Sequence, residues 1–148
     1  MAALRFDSMM VGHKLPTLEV APISRLDLAL YCGASGDHNP IHVDSDFARA
    51  SGRPDVFVHG MLVMAYAGRM LTQWAPQRAL RDFKVRFVQV TQVGDRLQCI
   101  GMVVAKFVVN GEQRMRVEFT VRNQEGHVRV KGDATLAMNS SPWPEFRG

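Results

Sequence analysis

The chain has 148 residues, the usual size of one domain, so a single core spanning 1–148 is expected and a multidomain enzyme is not. Hydrophobic residues make up 47% and charged residues 22%, which separates the chain from the polar composition of disordered proteins. Eighteen Lys and Arg against 14 Asp and Glu leave a net charge of +4. That charge is dispersed, as at Arg114, Arg116, Arg122, Arg129 and Lys131, without an aromatic-studded basic run, so no nucleic acid is expected as partner; an anionic small molecule or an acidic carrier protein fits it better.

The first ten residues carry Arg5 and Asp7 and lack the continuous apolar run of a signal peptide, so a cytoplasmic location is expected. Ser24 is placed to cap a helix starting at Arg25, with Asp27 in the first turn where the helix dipole favours a negative charge. This helix runs through Leu26, Leu28, Ala29, Leu30 and Tyr31 and ends near Gly33 or Gly36. A polar stretch, Ser35-Gly36-Asp37-His38-Asn39-Pro40-Ile41-His42, follows, in which Pro40 blocks helix continuation. A short helix from Asp44 to Ala50 comes next, capped by Asp44 or Ser45 and closed by Gly52. The apolar run Gly60–Leu71 falls short of the roughly 20 residues a membrane crossing needs. It carries apolar residues on every side, so a helix surrounded by the rest of the fold is expected, and no membrane partner.

From residue 79 the hydrophobic period becomes two, most clearly where Met115, Val117, Phe119 and Val121 alternate with Arg114, Arg116, Glu118, Thr120 and Arg122. Turn signals at Val93-Gly94-Asp95, Asn110-Gly111 and Gln124-Glu125-Gly126 divide this half into about four strands of an antiparallel meander. The fold class is therefore α+β, helices first and sheet second. Residues 139–148, with Pro142 and Pro144, form an irregular tail whose Trp143 and Phe146 suit docking onto the domain or a partner subunit. Cys32 and Cys99, far apart and without a partner pattern, are too few for a disulfide framework or a four-cysteine zinc site, and read as buried thiols in a reducing compartment.

Asp37 and His42 flank Asn39-Pro40, and a proline-bent loop brings a carboxylate and an imidazole together as an acid/base pair able to activate water. The same residues serve equally well as turn formers and a helix stopper. Downstream, Val58-His59-Gly60 leads into the apolar helix, whose first-turn amides are free to meet a carbonyl oxygen across a glycine without a side chain; packing alone also explains that glycine. No metal is expected, because Pro40 prevents His38 and His42 from facing one ion across a helical turn and neither a His-Glu-x-x-His nor a calcium-loop pattern occurs around Asp44 and Asp46. Phosphate-binding glycine motifs and a Gly-x-Ser-x-Gly elbow are absent as well, so neither a nucleotide cofactor bound in that way nor a serine nucleophile is expected; no cofactor of any kind is assigned.

Taken together, Tyr31-Cys-Gly-Ala-Ser35-Gly36-Asp37-His-Asn39-Pro40-Ile41-His42-Val-Asp44, Phe47-Ala48 and Val58-His59-Gly60-Met61-Leu62 resemble the MaoC-like, (R)-specific enoyl-CoA hydratase family, including hydratase-type subunits of bacterial 3-hydroxyacyl-ACP dehydratases. The likeness extends to Val85-Arg86-Phe87 and Val93-Gly94-Asp95-Arg96-Leu97. It implies a hot-dog fold, an antiparallel sheet wrapped around a central apolar helix, in homodimers or higher even oligomers. It also implies reversible hydration of trans-2-enoyl thioesters of CoA or acyl carrier protein to (R)-3-hydroxyacyl thioesters. Asp37 and His42 would be the water-activating dyad and Gly60 the amide donor to the thioester carbonyl. Asn39 and Ser35 would brace the loop, and His59 and Met64 would support the site or contact substrate, with Met64, Tyr66, Val56 and Phe57 shaping an acyl tunnel. Two positions depart from the family: Gly68 stands where some relatives carry a serine on the central helix, and Val90-Thr91 where relatives often carry a proline. A non-catalytic, thioester-binding or partner-stabilising subunit is the alternative in another functional class.

Overall fold

Alternation of apolar and polar residues builds the larger part of this fold, a five-stranded antiparallel sheet. The computed structural model describes residues 6–138, so the expectation for the 139–148 tail, Trp143 and Phe146 included, lies outside the described residues. The elements in chain order are β1 (Leu18–Glu19), α1 (Arg25–Ser35), α2 (Ser45–Ala50), α3 (Gly60–Trp74), β2 (Leu80–Phe87), β3 (Gln98–Val109), β4 (Glu112–Arg122) and β5 (Val128–Ala137). The sheet order is β1-β3-β4-β5-β2.

The meander expectation holds for β3, β4 and β5 and fails for β2. That strand does not lie beside its successor; it crosses to the far edge, where Phe83 pairs with Ala134 and Val85 with Gly132. The two-residue periodicity of a strand carries no record of which strand is its neighbour, which explains the miss. The two-residue β1 is too short to show any period, and it docks on β3 through Leu18 and Cys99. The β3–β4 hairpin turns at Asn110 and Gly111, both at positive φ (51° and 79°), the geometry that makes Asn-Gly a hairpin signal.

On β4 the predicted alternation is realised: Met115, Val117, Phe119 and Val121 are buried. They face α3, whose buried residues Val63, Ala67, Met70 and Leu71 recur at i, i+4, i+7 and i+8, one stripe of a helix. Burying Val63, Met70 or Leu71 contributes on the order of 1.5–3 kcal/mol, and the Ala67 methyl less. The expectation of a helix surrounded on all sides is corrected here: the sheet curls over a single face, and Met61 is left 53% exposed. Among the described residues no helix is long and apolar enough to cross a membrane.

The helical half is held by its caps. Ser24 Oγ accepts the Asp27 amide at 3.1 Å while the Asp27 carboxylate accepts the Ser24 amide at 2.7 Å, a reciprocal capping box. Of the two candidate ends for α1, Gly36 is the one used, at φ 75° with its amide donating to the Cys32 carbonyl. The second helix begins at Ser45 and not Asp44, because Asp44 is the cap, its Oδ1 accepting the amides of Asp46 and Phe47. The two cysteines are buried, as their sequence context suggested.

Candidate functional site

The loop from Ser35 to Asp44 is shaped by short-range hydrogen bonds that its own composition supplies. Ser35 Oγ donates to the Tyr31 carbonyl at 2.7 Å and accepts the Asp37 amide at 3.1 Å. Asn39 donates its amide to Asp37 Oδ1 at 3.3 Å, and its own Oδ1 accepts the Ile41 amide at 3.1 Å. These are Asx- and Ser-type turns, the backbone-mimicking bonds that favour such residues outside helices. Pro40 does not impose a non-helical path as the sequence reading assumed. It opens a 3-10 turn, Pro40–His42, at the first position, where its missing N–H costs nothing.

That turn carries His42 inward to 7% exposure. Its Nδ1 lies 2.7 Å from the Phe57 carbonyl oxygen, which accepts only, so Nδ1 holds a proton and Nε2 is left free in the neutral ring. The acceptor is fixed in turn: the Val58 amide donates to the Thr91 carbonyl at 2.9 Å and Phe57 bridges Gln92. Arg25 clamps three elements, pairing with Asp55 just before this segment and donating to Ser45 Oγ on α2.

A carboxylate oxygen of exposed Asp37, a nitrogen of His42 and a nitrogen of His59 lie within 4.8 Å of one another. The loop thus brings Asp37 and His42 together, and it adds His59 from the start of α3. The His42 and His59 rings stack, with centroids 3.9 Å apart and planes inclined by 26°. His59 is 1% exposed, and burial, aided by the neighbouring His42, holds its pKa below 6.5 against the opposing pull of Asp37. It therefore sits neutral beside the free nitrogen of His42. Zinc, with bonds to nitrogen of about 2 Å, needs donor lone pairs that converge. Nearly parallel stacked rings aim theirs side by side, which does not favour chelation.

Gly60 begins α3, and among the described residues no acceptor meets its amide or that of Met61; the Leu62 and Val63 amides turn back to the His59 carbonyl. The Gly60 surface opens to a cavity of about 240 Å³ lined mainly by Phe57, Val63, Phe87, Val88 and Val130. Ser35 and Asn39 thus brace the loop from within it. Met64 and Tyr66 do not line this cavity, whereas Phe57 does. A Cβ at Gly68 would stand 3.4 Å from the Phe83 ring, in ordinary contact. A larger hollow of about 600 Å³ on the sheet, lined by Lys14, Lys84, Arg86, Lys131 and others, shares no residue with the Asp37–His42–His59 cluster.

Three participants were not singled out for the site from the sequence. Cys32 approaches His59 Nε2 with its Sγ at 3.4 Å, and Tyr31 meets the same ring edge-on at 4.8 Å between centroids. Phe87, at the end of β2, covers Gly60. The first two sit one turn before Ser35 on α1, and only the meeting of α1 with α3 makes them neighbours of the site.

The 3-hydroxyacyl-[acyl-carrier-protein] dehydratase, mitochondrial, of Arabidopsis thaliana is 28% identical over 123 residues, 81% of this chain and 73% of that protein. Other curated relatives are far longer: the chain matches fatty acid synthase subunit beta of Saccharomyces cerevisiae at 30% identity over 113 residues but spans 5% of its length. Among solved structures, R-hydratase PhaJ1 of Pseudomonas aeruginosa superposes with a TM-score of 0.78 at 29% identity, over 90% of this chain and 84% of that one. The ChsH1-ChsH2 complex of Mycobacterium tuberculosis gives 0.75 at 26%, over 88% and 98%. The MaoC like domain model matches residues 8–126, and with the hot-dog sheet and loop described above this makes the chain a member of the MaoC-like domain family.

Proposed function

We propose that the protein is a hydro-lyase that adds water reversibly across trans-2-enoyl thioesters of CoA to give (R)-3-hydroxyacyl thioesters. The observation that carries the proposal is the convergence of the Asp37 carboxylate and the His42 ring within 4.8 Å, beside a Gly60 amide that no acceptor meets among the described residues. The hydratase and dehydratase names of the relatives support the same reaction class.

The geometry suggests a division of labour. With its Nδ1 proton engaged by Phe57, His42 presents Nε2 to a water held between it and Asp37. As the water oxygen bonds to C3, one water proton passes to the dyad and a proton is delivered to C2 on the same face. Electron density moves onto the thioester oxygen, where the Gly60 amide and the positive end of the α3 dipole stabilise it. Acid/base help of this kind contributes roughly 10²–10⁴ in rate. The apolar cavity beyond Gly60 then takes the acyl chain.

The test is a hydration assay of the purified protein over a series of enoyl-CoA lengths, with chiral analysis of the product. Turnover to the (R)-alcohol supports the proposal, and absence of turnover at every length refutes it for the chain on its own. Delivering the same enoyl group on acyl carrier protein separates the CoA reading from a dehydratase acting in fatty-acid elongation. The two-component character of the ChsH1-ChsH2 neighbour favours keeping one further reading, that the chain is a subunit binding thioesters beside a second polypeptide. Activity appearing only on addition of such a partner marks that case; otherwise the chain works as a homodimer.

A further inference from the structure

His59 is the most completely enclosed polar group of the site, and the proposed hydration leaves it without a task. Its Nε2 is occupied by Cys32 Sγ at 3.4 Å, whereas Nδ1 is buried and, among the described residues, completes no hydrogen bond of good geometry, although the Asp37 backbone carbonyl lies near enough to the ring to favour its protonation. A buried polar atom left in this state in a close-packed site marks a place where a ligand or water completes the bonding. The surroundings of the ring fix what that bonding is. The Asp37 amide is spent on Ser35 Oγ, so toward the ring Asp37 offers acceptors, its backbone carbonyl and a carboxylate oxygen that belongs to the same 4.8 Å cluster as His59. A proton on Nδ1 therefore faces oxygen, and Nε2 keeps a lone pair to accept from the Cys32 thiol, which is itself buried. The other tautomer sets a lone pair against the oxygens and leaves the thiol without an acceptor.

We infer that His59 is a positioning residue of the hydration site: the Cys32 thiol holds it in the Nδ1–H form, and that N–H orients the water and carboxylate at Asp37 while the ring face supports His42. The inference rests on the hydration proposed above and deepens it. His59 touches neither C2 nor C3 in this scheme, so its loss misplaces the water and leaves the dyad chemically intact. A misplacement of this size costs roughly tenfold to a hundredfold in kcat. KM stays nearly constant, because the thioester is held elsewhere. Cys32 acts only through the ring, and a serine hydroxyl donates the same bond.

The experiment pairs nitrogen NMR of 15N-histidine-labelled protein with steady-state kinetics on crotonyl-CoA. The His59 resonances, assigned by their loss in H59N, are expected to report a protonated Nδ1 and bare Nε2 in the wild type and in C32S, and a tautomer mixture in C32A. In kinetics, C32S is expected to keep the wild-type kcat and C32A to lose part of it. H59L is expected to lose tenfold or more in kcat, and H59N, whose amide N–H replaces Nδ1–H, less; if H59L does not fold, H59N and the two cysteine variants carry the comparison. A protonated Nε2 in the wild type, or a C32A protein with unchanged tautomer and rate, overturns the inference. Absence of hydration in the wild type overturns the proposed reaction instead, and the NMR result still decides the tautomer.

Discussion

Replacing Gly60 by alanine separates the stability of α3 from the chemistry at its amino end. A Cβ built at this position stands 3.1 Å from Phe87 Cε1 and 3.3 Å from Cδ1. Those contacts are tight, but Phe87 closes an edge strand and is 50% exposed, so its ring is free to move outward by a few tenths of an ångström. Alanine in turn favours a helix over glycine by up to about 1 kcal/mol, less at the first helical position. The two effects oppose each other, and the net change in stability should stay within about 1 kcal/mol, or roughly 2–4 °C in Tm for a chain of this size. In the proposed site the added methyl group crowds a carbonyl oxygen approaching the Gly60 amide. Loss of one such donor costs roughly 10²–10³ in kcat. Thermal melting by circular dichroism should therefore show a near-native transition for Gly60→Ala, while the decay of enoyl absorbance slows by a hundredfold or more. Wild-type turnover in a stable variant would refute the carbonyl site, and a collapse in Tm would refute the free movement of Phe87.

Further expectations come from other parts of the molecule. Gly132→Ala places a Cβ 2.0 Å from the Lys84 carbonyl oxygen and 2.7 Å from Phe119 Cζ, where backbone cannot yield, so urea unfolding should show a loss of at least about 1–3 kcal/mol. Burial holds His59 neutral, with its folded pKa depressed below 6.5. Its contribution to stability is therefore complete above pH 6.5 and is lost as the pH falls toward the folded value, because the unfolded chain takes up the proton first. Chemical denaturation between pH 7 and 5 should show this decline in the wild type and a flatter profile in His59→Gln; equal slopes would count against a buried neutral ring. Burial pushes the Cys99 thiol up to about 12, so alkylation at neutral pH followed by mass spectrometry should leave Cys99 unmodified until denaturant is added.

What the sequence disclosed follows from the range over which each physical signal acts. The α1 cap at Ser24, the stop at Gly36 and the Asn110-Gly111 hairpin are decided within four or five residues, and those elements were legible. The burial of Met115, Val117, Phe119 and Val121 was legible for the same reason, since alternation is a local pattern. The Asp37–His42 encounter was less so: the spacing proposed it, but it depends on the Phe57 carbonyl, 15 residues away, and on the tie between Val58 and Thr91. Long-range pairing was not legible at all. Nothing in Leu80–Phe87 announces that its neighbour is β5, and nothing in Cys32 announces that its thiol meets a histidine 27 residues later. The apolar composition of α3 suggested complete enclosure, yet apolar residues also occupy surfaces, and Met61 remains outside the curl of the sheet.

Whether Asp37 and His42 act on one water molecule is measured directly by kcat/KM for crotonyl-CoA hydration by Asp37→Asn and His42→Ala beside the wild type. Each variant is expected to lose a hundredfold or more, within the roughly 10²–10⁴ that acid/base groups supply, while its circular dichroism spectrum stays native. Near-normal hydration by either variant would contradict the central claim.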